Sequence, residues 1–451
     1  MSKKIRCWIS SMISAMLCAL VILVWASPPH PQRTETAPSS AINFDQLLRD
    51  RHYLELERAL SSKSNLTSSD LAFFKGVMAN RRNRVAESIK MLEPLVSSLS
   101  ATNKDRAVIA LSTLADDYEK TFRYSNAADA YADLENRFGS SMDENERARA
   151  SREALRWNLL RGAPPQSSEV KRPFTVPITR DKVGLPEVSV EFGKFHESLI
   201  LDSGANLSAI SVSLAQRLGL KLSSSVATSS GIAGRRMTVH TAVIPELKMG
   251  DAKLRNVAVI VINDDDLVIP DMHYHIPGSI GFPVLSALGR ITFFADGRFG
   301  VESKPAADAP GGEENLFLQR LTPIVAADVA GAEMLFTIDT GSTGSFFTVQ
   351  YYLEHRSDFT SQAIGDFDLA GAGGVRTYPA YLAGRLNIKM GGACVEVNEL
   401  PVVTQTRGLP DDKFYGNVGQ RILSQFKSYT FDFQNMSFSA EGDTCKQGEK
   451  K

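Results

Sequence analysis

The feature that most constrains this chain is an internal repeat in its C-terminal part. Leu199-Ile200-Leu201-Asp202-Ser203-Gly204-Ala205-Asn206 is matched 137 residues later by Phe336-Thr337-Ile338-Asp339-Thr340-Gly341-Ser342-Thr343. Leu247-Lys248-Met249-Gly250 is matched by Ile388-Lys389-Met390-Gly391 at an offset of 141, and Ser279-Ile280-Gly281 by Asn417-Val418-Gly419 at 138. A closing hairpin follows in each copy, at Phe293-Phe294-Ala295-Asp296-Gly297-Arg298-Phe299 and again from Phe431 to Phe438. One Asp-Ser-Gly alone reads as a surface hairpin with a solvated Asp. Several landmarks at a nearly constant offset require two copies of one unit. Each copy then carries an Asp at the end of an apolar strand, and a pseudo-two-fold axis would bring the two Asp turns together.

Texture divides the rest of the 451 residues into the two or three domains that this length implies. Residues 27–42 are rich in Pro, Ser and Thr and read as a linker. Residues 43–162 show helical spacing, as in Leu111, Leu114, Ala115 and Tyr118, then Ala127, Ala130, Tyr131 and Leu134. The stretch 114–138 resembles a tetratricopeptide helical hairpin, with a weaker copy from Phe73 through Gly76 and Ala79 to Leu92. A plain antiparallel helical bundle remains the other reading. Either one makes an all-α spacer or protein-binding domain without a catalytic constellation. After Arg161-Gly162-Ala163-Pro164-Pro165 the texture turns β-rich, with Val188, Val190 and Phe192 alternating. The Pro- and Gly-rich stretch 304–314 splits this region into residues 173–303 and 315–442.

The N-terminus reads as a membrane or export segment. Lys3, Lys4 and Arg6 precede an uncharged apolar run from Cys7 to Ala26. Two readings stay open for residues 1–26: a cleaved signal peptide, or an uncleaved anchor with its basic end inside. Both send the remainder out of the cytoplasm, to a periplasmic or other extracytoplasmic location. Only Cys394 and Cys445 lie beyond this leader, and they are either a disulfide pair or two free thiols. A net charge of −1 gives no reason to expect nucleic acid as a partner.

On the Asp-Ser/Thr-Gly turns and the apolar-apolar-Gly elements at Gly281 and Gly419, residues 173–442 resemble the aspartic proteases of the pepsin and retropepsin group. The compact copies, and Gly419-Gln420-Arg421-Ile422-Leu423, are closer to the retroviral-like subunit than to a long pepsin lobe. Two short lobes in one exported chain behind a helical domain are similar to bacterial retropepsin-like proteins. The resemblance implies an all-β bilobal fold, two β-barrel lobes about a pseudo-two-fold axis, with a peptide in the cleft between them. It implies an aspartic-type endopeptidase with a monomeric active site and no cofactor.

Peptide hydrolysis needs a base to activate water and an acid for the leaving amine. Two carboxyls held close cannot both ionise, so Asp202 and Asp339 would share one proton and titrate as a unit. Gly204 and Gly341 allow the sharp turns. In the family, the hydroxyls corresponding to Ser203 and Thr340 bond across the dyad. Ser342 is placed to bond its Asp from outside, which Ala205 cannot do. Flaps over the cleft are expected at Gly231, Ile232, Ala233 and Gly234, and at Gly371, Gly373 and Gly374, each about 30 residues after its Asp. Tyr378 and His240 nearby read as ordinary strand residues.

Other signals are weaker. His273 and His275 alternate on one strand, but no third ligand stands at a telling spacing, so no metal is expected. Seven histidines and no Gly-x-Ser-x-Gly leave serine catalysis little support. The competing expectation is a non-catalytic binding or scaffold protein that keeps the fold and uses the helical domain for protein partners. Loss of one Asp would favour it, and both are present.

Overall fold

The computed structural model describes residues 4–5, 42–62, 66–231, 236–302, 313–442 and 444–445. The expected leader lies outside these residues, apart from Lys4–Ile5, which runs parallel to Gly365–Gly371. The expected linkers at 27–42 and 304–314 lie almost wholly outside them. Among the described residues no helix is long and apolar enough to cross a membrane.

Residues 44–160 form eight α-helices among the described residues. Ser68–Arg81 packs on Val85–Leu92, and Lys104–Lys120 packs on Tyr124–Phe138, which are the two hairpins expected from the spacing. Small residues set the close approach. A Cβ on Gly76 would stand 2.7 Å from Leu92 Cγ, and Ala115 and Ala127 are fully buried. The last helix, Glu144–Leu159, starts at an Asp143 capping box with Glu146 and inserts Trp157 against Tyr124.

The β-rich region follows the repeat. In the first copy, Phe195–Leu201 lies parallel to Ser279–Ile280, which in turn lies antiparallel to Ser208–Ser211. In the second copy, Ala332–Ile338 lies parallel to Gly416–Val418, which lies antiparallel to Phe346–Phe347. Both Asp residues therefore leave the end of a strand clamped by the same three-strand pattern. The first copy's sheet starts earlier than the change of texture suggests: Ser167–Val170 already pairs with Ala252–Ile262.

The two copies are joined through their closing hairpins. Arg290–Phe294 pairs antiparallel with Ser428–Asp432, so strands from both copies belong to one sheet. Thr292 and Thr430 face each other there, with their hydroxyls 2.8 Å apart, and Phe293 stacks on Tyr429 at 4.8 Å. This pairing places the repeat's symmetry axis between the two threonines. Cys394 and Cys445 are joined as a disulfide.

The helical domain docks on the second copy. The Arg82 guanidinium lies over the Phe317 ring at 3.6 Å and donates to the carbonyls of Glu314 and Leu316. Tyr53 bonds Gln319. Arg320, at the turn before Thr322–Val329, reaches Glu119 at 2.9 Å and Glu153 at 2.8 Å.

Candidate active site

The turns at Asp202 and Asp339 meet. A Cβ on Gly204 would lie 2.5 Å from Asp339 Cγ, and one on Gly341 would lie 2.4 Å from Asp202 Cγ. Each carboxyl thus sits over the other turn's glycine, where no side chain fits. Glycine is required here by this close approach, since neither residue has a positive φ.

A ring of four hydrogen bonds crosses between the copies. Ser203 N donates to Thr340 Oγ1 (2.9 Å) and Thr340 N to Ser203 Oγ (3.0 Å). Ser203 Oγ donates to Ile338 O (2.9 Å) and Thr340 Oγ1 to Leu201 O (2.6 Å). Ser203 and Thr340 are 1% and 0% exposed, so these bonds are shielded from water. Two backbone turns are locked by their own side chains, and the carboxyls stay only partly exposed above them.

The two carboxyls act on each other, and their surroundings differ. Asp202 Oδ1 accepts from Gly204 N at 3.1 Å and Ala205 N at 3.0 Å, with the Ser279 hydroxyl beside it. Asp339 Oδ1 accepts from Gly341 N at 2.9 Å. Desolvation raises the pKa of both. The bonds to Asp202 oppose that rise, whereas the negative charge of Asp202 adds to it at Asp339, which is held well above the ordinary carboxyl value. Both shifts favour a pair that holds one proton between its two carboxyls.

Ser342 departs from expectation. Its hydroxyl donates to Gly344 O at 3.0 Å and makes no bond to Asp339, because the turn directs it toward its own loop. The outer support for Asp202 comes from the backbone N–H of Ala205, which needs no side chain. Gly281 and Gly419 stand where expected. A Cβ would lie 2.5 Å from Leu207 C at Gly281 and 2.2 Å from Gly344 O at Gly419.

The sequence reading missed three supports. Gly281 N donates to Ser208 Oγ at 3.0 Å and Gly419 N to Ser345 Oγ at 2.9 Å. These serines are themselves 137 residues apart, so extending the alignment of the two copies by two residues would have found them. Gln420 is buried, donates from Nε2 to Thr340 O (2.8 Å) and accepts from Arg180 Nη1 (2.6 Å). It ties the Asp339 turn to a strand of the first copy. The first copy has Phe282 at the matching place, so no repeat signal pointed to Gln420.

Two hairpins carry the flap candidates. Ala227–Ser230 pairs with Arg236–Met249, ending at Gly231. Ile232, Ala233 and Gly234 lie outside the described residues. Gly365–Gly371 pairs with Gly374–Ala383 around a turn in which Gly373 and Gly374 have φ of 87° and 113°. The two ends meet: a Cβ on Gly231 would lie 2.3 Å from Ala372 O, and Gly373 N donates to Asp266 O at 2.8 Å. Tyr378 is buried beside Phe346 and Leu369, as a strand residue would be.

Residues 187–284 match the family model described as aspartyl protease. The match runs from the strand before the Asp202 hairpin past Gly281, the span that builds one Asp turn and its clamp. Among solved structures, a retropepsin-like aspartic protease from Rickettsia conorii is similar, at 16% sequence identity and a TM-score of 0.22. The alignment covers 28% of this chain and 98% of that one. No curated protein matches the chain.

Proposed function

We propose that this chain is an exported aspartic endopeptidase whose two short lobes, residues 173–303 and 315–442, form a double β-barrel with one catalytic dyad, Asp202 and Asp339. The observation that carries the proposal is the ring of bonds between Ser203 and Thr340. It holds two carboxyls against each other in an environment that keeps one proton on the pair. A structural Asp turn would have no need of a second copy facing it.

In this reading the ionised Asp202 takes a proton from a water, whose oxygen attacks the scissile carbonyl carbon. Protonated Asp339 donates to the carbonyl oxygen as negative charge develops there. Collapse of the tetrahedral intermediate breaks the C–N bond. The proton held by Asp202 passes to the amine, which leaves an acid, an amine and the dyad with its single proton. The hairpins ending at Gly231 and Gly373 would cover an extended peptide and exclude bulk water. The N-terminal 26 residues would direct the chain out of the cytoplasm, where a Cys394–Cys445 disulfide persists.

Cleavage of an unstructured polypeptide by the purified protein from pH 3 to 7 tests the proposal. Asp202→Asn and Asp339→Asn should each abolish it. Peptidase activity surviving in either variant would refute the assignment.

A further inference from the structure

We infer that the helix Glu144–Leu159 is a brace that positions the first flap-candidate hairpin, with Arg156 as the positioning residue. The inference rests on the peptidase reading, and it makes the helical domain a working part of the enzyme rather than a mere spacer.

The strand Ala227–Ser230 ends its sheet, so among the described residues its outer edge has no neighbouring strand to bond. Arg156 supplies a donor there, with Nη2 bonding Thr228 O at 3.2 Å. The same guanidinium holds both oxygens of Glu153 through Nη1, at 3.0 and 2.9 Å. Glu153 in turn binds Arg320 of the second copy. Two residues less than one helical turn apart therefore tie the second copy on one side and the hairpin of the first copy on the other. Leu159, one turn further, packs on the cluster of Ala227, Met237 and Val239 that forms the hairpin's apolar base. Ala372, from the tip of the second hairpin, packs on that same cluster.

The base of the hairpin is therefore held from two directions. Glu153 is nearly buried, so its bond to Arg156 is not diluted by water. A helix locked to one copy and gripping the edge strand of the other sets where the base of that hairpin stands. That position governs how tightly a peptide is held, whereas the carboxyls are fixed by the separate ring of Ser203 and Thr340. The brace should thus act on substrate capture more than on the chemical step.

The test compares the full chain with Arg156→Met and Arg156→Lys, using hydrogen exchange of backbone amides and steady-state cleavage of an unstructured peptide. Arg156→Met should speed exchange in 227–230 and 236–239 by about 5-fold or more, while 195–201 is unchanged. It should raise KM about 3- to 10-fold with kcat within about twofold, and Lys should recover part of both effects. Leu159→Ala, which leaves every charge in place, should give the same hairpin-specific exchange. Unchanged exchange in the hairpin of a folded Arg156→Met or Leu159→Ala protein would overturn the inference, as would a fall in kcat at constant KM. If the wild-type chain cleaves nothing, the peptidase reading fails, and the exchange measurement still decides whether the brace exists.

Discussion

Replacing Thr340 by Val removes one hydroxyl and almost no volume, which isolates the ring of bonds between the copies. The hydroxyl accepts from Ser203 N and donates to Leu201 O, at a site closed to water. Both partners would be left without it. A buried group that loses its hydrogen bond costs about 1–3 kcal/mol, so the variant should lose about 2–5 kcal/mol of stability. Thr340→Ser keeps both bonds and drops one methyl, and should cost about 1 kcal/mol. Urea unfolding followed at the β-sheet circular dichroism band measures the difference. The Asp339 turn would also lose its anchor, and a shift of about 1 Å at a reacting group is worth about 100-fold in rate. Cleavage by Thr340→Val should fall by about that factor while Thr340→Ser stays near wild type. The reciprocal bonds of Ser203 share the same ring, so Ser203→Ala with Thr340→Val should be non-additive by about 1 kcal/mol or more. If Val and Ser at position 340 differ by less than about 0.5 kcal/mol and cleave equally well, the ring does not hold the dyad.

Three further predictions follow from the same contacts. Gly341→Ala places a methyl on Asp202 and should reduce cleavage by at least about 100-fold in a protein that still folds, checked by activity beside circular dichroism. The Asp339 pKa is raised by desolvation and then by the charge of Asp202, so the stability tied to its proton is present below the unfolded value of 3.8 and lost as pH rises through the folded one. Asp339→Asn should therefore be more stable than wild type at about pH 8 and close to it at about pH 3, by thermal unfolding at both. Arg320→Met leaves the Glu119 carboxyl in the docking interface without its cation, while Glu153 keeps Arg156, and should cost about 3–5 kcal/mol at neutral pH. Burial pushes Glu119 up to about 7, so it takes up a proton as pH falls. Unfolding curves for this variant should show a smaller loss at about pH 5 than at about pH 8.

The parts of the site that were legible in the sequence are those that recur. Asp202 and Asp339, their glycines, the hydroxyls at Ser203 and Thr340, and Gly281 and Gly419 all occupy matching places in the two copies. A backbone turn that admits only glycine leaves the same mark each time it is used. The helical hairpins at 68–92 and 104–138 were legible for a related reason, since i, i+3 and i+4 packing writes its period into the chain. Ser342 misled because its role was inferred from its distance along the chain to Asp339, while a hydroxyl's partner depends on which way the loop turns.

The sequence by itself determined that this chain is a duplicated β unit behind a helical domain, with one carboxyl at the same turn of each copy. Local periodicity and turn chemistry act over a few residues and need no partner. Only the tertiary structure decided what joins the parts. Gln420 bridges Thr340 and Arg180, Arg320 enters between Glu119 and Glu153, and Arg156 caps the edge at Thr228. Each of these contacts occurs once, between residues 72 to 240 positions apart. A contact that is neither local nor repeated leaves no period in the sequence, and it exists only when the folded copies bring its two ends together.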